Sequence, residues 1–214
     1  MHKFAPLSVM LLILGSMVTP TTAAPMLVLS SPSNLSNLSV GDRVRINVSL
    51  QDLDVGNDFV FVLNSRLSFP GSLLEPVPDS SFSSGLTPGE ILVTAAQRNS
   101  FNAVSSLTDG VVTGNFSDSS PTPSQAISQN GVFFSFLLAA QSVGSGTIRF
   151  DSASIASNST GFNLAPLPTG GPLAFAINAA PLPEPSSLAL SVIGTTLGLV
   201  GYGCRRRNGP TASE

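Results

Sequence analysis

The sequence has almost none of the side chains on which most enzymes and metal sites depend. Its 214 residues include one histidine, His2, one cysteine, Cys204, and no tryptophan. Both residues lie in terminal segments, so the middle of the chain has neither imidazole nor thiol. Ser-His-Asp catalysis, Cys-His catalysis and the usual zinc sites are therefore excluded there. A single cysteine also excludes an intramolecular disulfide, so the fold must depend on packing.

Charge is equally scarce, since only 10% of the residues are charged. Hydroxyl and amide side chains fill the polar positions instead. Between residues 25 and 180 there are five arginines and ten carboxylates, a net charge of −5. The carboxylates are Asp42, Asp52, Asp54, Asp58, Glu75, Asp79, Glu90, Asp109, Asp118 and Asp151. An acidic middle would repel nucleic acid, so no nucleic-acid partner is expected.

The first 24 residues have the layout of a secretory signal peptide. A charged start with Lys3 precedes an apolar run over residues 4–18, which is followed by Thr21, Thr22, Ala23 and Ala24. Small residues suit a signal peptidase, and the pattern predicts a signal helix that is removed by cleavage after Ala23. A retained membrane anchor is the alternative, although the run is shorter than the ~20 residues of a spanning helix.

The C-terminal end also contains an apolar stretch, but different residues flank it. Residues 188–204 are apolar and are followed directly by Arg205, Arg206 and Arg207. As a helix this stretch would be ~25 Å long, slightly less than the ~30 Å hydrocarbon layer. The three arginines predict a membrane stop with residues 208–214 as a short cytoplasmic tail and the rest of the mature chain outside.

Pro183, Glu184 and Pro185 precede this apolar stretch. With the predicted transmembrane helix and the arginine cluster behind it, this motif resembles the PEP-CTERM sorting signal of Gram-negative bacteria over residues 181–207. The resemblance implies recognition by an exosortase, a membrane-embedded processing enzyme, followed by loss of the helix and release or transfer to the cell surface. A plain C-terminal membrane anchor is the alternative.

Between the two ends the hydrophobic pattern is mostly of period two, which is typical of strands with one buried face. Val44, Ile46, Val48 and Leu50 give the clearest example. The strands predicted on this basis cover residues 44–50, 59–69, 91–95, 111–116, 132–138, 147–155 and 173–177. Clusters of Gly, Ser, Asp and Pro separate them, and this rhythm predicts an all-β sandwich.

Three segments of this middle part resemble the cohesin-like domains. They contain Val40, Gly41 and Asp42 before the strand 44–50, then the stretch 61–69 with Pro70, Ser72 and Leu73, and finally residues 144–148 before Phe150 and Asp151. The resemblance implies a jelly-roll type β-sandwich over residues 25–180 that docks a partner protein module across one sheet face. Residues 80–129 have no counterpart in it, so the docking face stays unassigned.

The carboxylates are the remaining source of chemistry in the middle part. Two of them would suffice for a glycosidase, but Asp42, Asp109 and Asp118 lie beside Gly or Ser, as turn residues do. Asp52, Asp54 and Asp58 come nearest to a calcium cluster, although EF-hand spacing is absent. A solvated loop is the simpler interpretation, so no cofactor and no metal are expected.

Together these features predict a non-catalytic protein of the bacterial cell envelope or surface. It would be exported, anchored in the membrane before processing, and would bind or support another surface protein. The first alternative is a component of an extracellular polysaccharide matrix that binds carbohydrate, because hydroxyl side chains are abundant. The second alternative is a glycoside-active enzyme.

Overall fold

The computed structural model of the chain describes residues 23–118 and 126–179. Residues 1–22 of the predicted signal peptide, the motif Pro183–Glu184–Pro185 and the arginines 205–207 lie outside these residues. Within the described residues, no helix has the length and apolar character needed to cross a membrane.

The described part consists of strands with one α-helix and one short 3-10 helix, Leu35–Asn37. In chain order the elements are β1 Met26–Ser30, β2 Leu38–Ser39, β3 Arg43–Gln51, β4 Val60–Ser68, β5 Leu74–Val77, β6 Thr87–Pro88, α1 Ala95–Val104, β7 Ser106–Thr108, β8 Val111–Ser117, β9 Gly131–Ala140, β10 Gly144–Ser157, β11 Ala165–Pro166 and β12 Leu173–Asn178.

The strands form two sheets that face each other across one core. The five-stranded sheet has the order β1-β3-β9-β5, with β6 also paired to β9. The seven-stranded sheet has the order β2-β12-β10-β4-β8-β7, with β11 also paired to β10. Within each sheet the pairs are antiparallel except that of β2 with β12. The predicted all-β sandwich is thus confirmed.

Strand β3 shows how the sequence produces this arrangement. Val44, Ile46, Val48 and Leu50 alternate with polar residues, and all four are buried. Successive side chains of a strand point to opposite faces, so one face packs into the core and the other contacts solvent. The predicted strands 44–50, 111–116, 132–138, 147–155 and 173–177 are confirmed, each with slightly longer bounds. The predicted 59–69 strand is β4.

The core contains a phenylalanine cluster that joins the two sheets. Phe133 and Phe134 of β9 contact each other and the helical Phe101, with ring centroids 5.2 to 5.5 Å apart. A fully buried phenylalanine contributes about 1.5–3 kcal/mol. The ring of Phe134 lies directly over Gly114 of β8, where any side chain would overlap it. The glycine therefore sets how closely the sheets approach.

The prediction of a strand at 91–95 is wrong. Ile91 and Leu92 are buried in a turn, and helix α1 follows. Thr94 caps the helix: its hydroxyl accepts from the backbone N–H of Gln97, whose side chain accepts from the backbone N–H of Thr94. This reciprocal capping box stabilises a helix start that hydrophobic periodicity does not indicate. The buried face of the helix is small, and Phe101 is its main contact with the core.

Candidate functional site

The outer face of β10, β4, β8 and β7 is a continuous polar surface built on four neighbouring strands. We call it the polar face. Its outward side chains are Val62, Asn64, Arg66, Ser68, Ser106, Thr108, Val111, Thr113, Asn115, Arg149, Asp151, Ser152 and Ser154. Most carry a hydroxyl or an amide, and the group contains one acidic residue, Asp151.

The strand register places these side chains in rows. Arg66 of β4 lies between Thr113 of β8 and Ser152 of β10. Directly opposed residues on neighbouring antiparallel strands have Cβ atoms ~5 Å apart, so each row is a line of adjacent polar groups. In the next row Asn64 donates to the Ser154 hydroxyl at 3.4 Å. The polar face therefore presents ordered hydrogen-bonding groups on a rigid sheet.

The charges of the polar face form one small group around Asp151. The Nε atoms of Arg66 and Arg149 lie 3.9 and 3.8 Å from its carboxylate oxygens, and the Ser68 hydroxyl donates to it at 2.8 Å. Asp151 occupies a β-bulge, where the register between β10 and β4 shifts from Phe150 to Ser152. Both arginine side chains are more than half exposed, so the group carries a net positive charge toward solvent.

Several hydroxyls of the polar face are free to bind a partner. In the described part of the chain, the side chains of Ser106, Thr113 and Ser152 make no hydrogen bond. By contrast, Asn115 at the edge of the face donates to the carbonyl of Val104 at 3.2 Å. Unused donors and acceptors at fixed positions are what a hydrogen-bonded interface needs.

The outer face of the five-stranded sheet differs in that it bonds a buried hydroxyl and a loop carboxylate internally, although Arg43, Asn47 and Ser49 of β3 make no side-chain hydrogen bond within the described residues. Arg45 of β3 donates to the buried Ser135 hydroxyl of β9 at 3.4 Å. The backbone N–H of Ser81 and the hydroxyl of Thr87 donate to Asp79, and these bonds hold the pKa of that carboxyl below its usual value of 3.8. Arg45 lowers the same pKa slightly by its charge.

Two pairs of carboxylates line cavities. Glu75 and Asp109 border one of about 360 Å³, where Gln141 donates to Glu75 at 2.7 Å. Asp52 and Glu90 border another of about 460 Å³, where Glu90 accepts from a backbone N–H at 3.2 Å. These pairs are the places where the glycosidase alternative can be tested. Among the predicted turn residues, Asp42 accepts from the backbone N–H of Ser39 at 2.7 Å.

The proposed calcium residues Asp52, Asp54 and Asp58 lie in one loop between β3 and β4. Asn57 donates to both carboxylate oxygens of Asp54 at 3.2 Å, and the backbone N–H of Asp58 donates to the carbonyl of Asp54. Over residues 23–118 and 126–179, no three His, Cys, Asp or Glu side chains are placed to hold a metal ion.

Sequence reasoning did not locate the polar face. Asn64, Arg66 and Ser68 alternate with buried residues and do give a signal for an exposed strand face. The partners of that face come from other strands, however, and Ser68 and Asp151 are 83 residues apart. The pairing of β4 with both β8 and β10 is needed before the rows can be recognised.

No protein-family model matches the sequence, and no curated protein matches it. Solved structures do match. A cohesin from a type I cohesin–dockerin complex of Clostridium thermocellum is 16% identical and has a TM-score of 0.54, over 74% of this chain and all of that chain.

The seventh type I cohesin of ScaB from Pseudobacteroides cellulosolvens is 19% identical, with a TM-score of 0.52, and the match covers 75% of this chain and 97% of that chain. A non-cellulosomal cohesin from the archaeon Archaeoglobus fulgidus is 18% identical, with a TM-score of 0.50 and coverages of 73% and 92%. The described part of the chain therefore has a cohesin-like β-sandwich fold, as the sequence predicted for the middle domain.

Proposed function

We propose that the protein is an exported, non-catalytic binding module that holds another protein against its polar face. The observation that carries the proposal is the set of unused hydroxyls around the Arg66–Asp151–Arg149 group on four adjacent strands. Cohesins of similar fold were solved in complex with dockerins. A sheet face with fixed donors, acceptors and one positive group suits a partner that presents hydrogen-bonding side chains and a carboxylate.

The test compares one residue on each sheet. Thr113→Arg adds a long charged side chain to the centre of the polar face, and Ser49→Arg does the same on the outer face of the five-stranded sheet. The full-length chain is displayed on the source organism, and its partner is captured by cross-linking and identified. We expect Thr113→Arg to weaken binding of that partner at least tenfold, the loss typical of a central interface position. Ser49→Arg should leave it within twofold, and the reverse pattern would refute the proposal.

The destination of the protein is a further part of the proposal. Residues 1–24 act as a removable signal, residues 25–180 as the binding domain, residues 181–207 as the sorting segment, and residues 208–214 as the cytoplasmic tail. An exosortase would process the chain near Pro183, Glu184 and Pro185. Mass spectrometry of the exported protein should then find no peptide from residues 188–214. Replacing the three motif residues with alanine should keep those residues attached, whereas continued processing would contradict the assignment.

The alternatives give different results in the same preparations. A matrix component that binds polysaccharide would be retained on a carbohydrate array and would lose that retention with Thr113→Arg. A glycoside-active enzyme would release reducing sugar, and Glu75→Gln or Asp109→Asn would abolish the release, since two carboxylates are required. We expect neither retention nor turnover.

A further inference from the structure

One end of the sandwich carries an exposed aromatic side chain on a strained backbone. Phe162 has a φ of 63°, in the left-handed region that a bulky side chain rarely adopts, and the residue remains 60% exposed. Its ring centroid lies 5.3 Å from that of Phe61, which is buried. Strain of this kind persists only where surrounding contacts enforce it, and it often marks a functional position.

The contacts that enforce it are hydrogen bonds within the loop 158–164. The backbone N–H of Phe162 donates to the carbonyl of Ser157 at 2.8 Å. The Thr160 hydroxyl accepts from the backbone N–H of Ser157 at 2.9 Å and lies 2.9 Å from the carbonyl of Asn163. The loop is thus fixed before any ligand arrives, so little entropy is lost when Phe162 is used as an anchor.

A second loop, residues 52–59, is attached to the first. The side chain of Asn158 accepts from the backbone N–H of Phe59 and donates to the carbonyl of Asn57, both at 2.7 Å. This arrangement brings the exposed Val55 to the same end of the molecule as Phe162 and Leu164, which are similarly exposed. We call the two loops the end surface.

The charge of the end surface is of one sign. Its two loops contain Asp52, Asp54 and Asp58 and no lysine or arginine. The nearest arginine along β4 is Arg66, six residues from the start of the strand at Val60, or ~20 Å at 3.3 Å per residue. Apolar side chains with an acidic rim favour a ligand that is apolar in the middle and positively charged at its sides.

We propose that the end surface is a second docking site, separate from the polar face, for a protein segment in which an apolar side chain is flanked by lysine or arginine. The apolar side chain would pack on Phe162 and Leu164. The flanking cations would lie beside Asp54 and Asp58. The neighbouring aliphatic residues and the uncompensated carboxylates favour such a segment over a neutral sugar.

The test uses synthetic peptides and the isotope-labelled full-length chain. The probe is an eight-residue peptide with two central leucines and two lysines on each side. One control peptide has glutamates instead of lysines, and the other has serines instead of leucines. We expect the probe to shift the amide NMR signals of residues 55–59 and 158–164 and to bind at least tenfold more tightly than either control. Equal binding of the three peptides, no binding, or shifts confined to the polar face would overturn the proposal.

Two variants separate binding from a structural role. Phe162→Asn removes the ring and places a residue that tolerates the left-handed backbone, so it should weaken probe binding at least tenfold without lowering the unfolding midpoint. Val143→Asn changes an equally exposed apolar residue in the turn between β9 and β10, and it should leave probe binding unchanged.

Two results with these variants would count against the site. The first is a lower unfolding midpoint of Phe162→Asn with unchanged probe affinity. The second is a dimer in sedimentation velocity that Phe162→Asn abolishes. Loss of partner binding in Thr113→Arg alone leaves this proposal standing, since the two surfaces are distinct.

Discussion

The outer faces of the two sheets are built from similar polar residues but use them differently. On the five-stranded sheet Arg45 donates a hydrogen bond to Ser135, and Asp79 accepts hydrogen bonds from Ser81 and Thr87. On the polar face Thr113 and its neighbours have hydroxyls directed to solvent, and Arg66 and Arg149 share a single carboxylate. The first face holds a buried hydroxyl and a carboxylate in internal bonds that stabilise the fold, whereas the second leaves the hydroxyls of Ser106, Thr113 and Ser152 for a partner. Four predictions test this difference.

The largest effect is expected at Phe101. This residue packs helix α1 against the phenylalanines of β9, and the helix also contacts β8. Phe101→Ala should lower the free energy of unfolding by about 3–5 kcal/mol, the usual cost of truncating a buried phenylalanine. Chemical denaturation of the full-length chain measures it. A loss below about 1 kcal/mol would mean that the helix is not part of what holds the two faces in place.

The next effect concerns the distance between the sheets. Gly114→Ala introduces a methyl group that overlaps the ring of Phe134, and overpacking of this kind costs about 1–3 kcal/mol. The double variant with Phe134→Leu should recover part of the loss, because the smaller side chain makes room. If the single variant is as stable as the wild type, the sheets can move apart, and the geometry of the polar face is not fixed by the core.

A matched pair of arginine variants compares the two faces directly. Arg45→Ala leaves the buried Ser135 without its donor and should cost about 1 kcal/mol of stability. Arg66→Ala removes an exposed ion pair and should cost only about 0–0.5 kcal/mol. Unfolding in denaturant measures both. Equal losses would remove the distinction between a face that stabilises the fold and one that serves a partner.

The smallest effect depends on pH. The folded-state pKa of Asp79 is lowered by its bonds to Ser81 and Thr87, so the ionised carboxylate contributes stability above the unfolded value near 3.8 and loses it as the pH falls through the folded value. Asp79→Asn should therefore have a slightly lower unfolding midpoint than the wild type at pH 7. The two midpoints should begin to converge as the pH falls below about 4 and should meet only below the folded value. A difference in unfolding midpoint that does not change with pH would mean that Asp79→Asn acts through side-chain geometry and not through charge.

Much of the fold could be predicted from the sequence because alternation of period two survives wherever one strand face is buried, as in Val44 to Leu50. Helix α1 could not, since its ten residues bury mainly Gln97 and Phe101 and have no apolar stripe. The capping pattern of Thr94 and Gln97 was the only local signal. Strand β1 was missed because its five residues follow the predicted signal peptide with only Pro25 between them.

The candidate site was harder to predict than the fold. Its composition was expected, because hydroxyls and amides replace charge throughout the middle part. Its location required knowledge of which strands pair, and pairs such as Ser68 with Arg149 depend on the tertiary structure. The strain at Phe162 left no trace in the sequence, because no residue type announces a left-handed phenylalanine.

The bulge at Asp151 has a consequence for how this protein can vary. Because Phe150 pairs with Leu67 and Ser152 with Arg66, Asp151 is the one extra residue, and a chain without it would pair regularly with Ser154 still outward and Ile155 still buried. The sheet can therefore lose this residue without exchanging its faces, but Arg66 and Arg149 would lose the carboxylate that they share. A relative with one residue fewer here would keep the fold and present two unpaired cations to its partner.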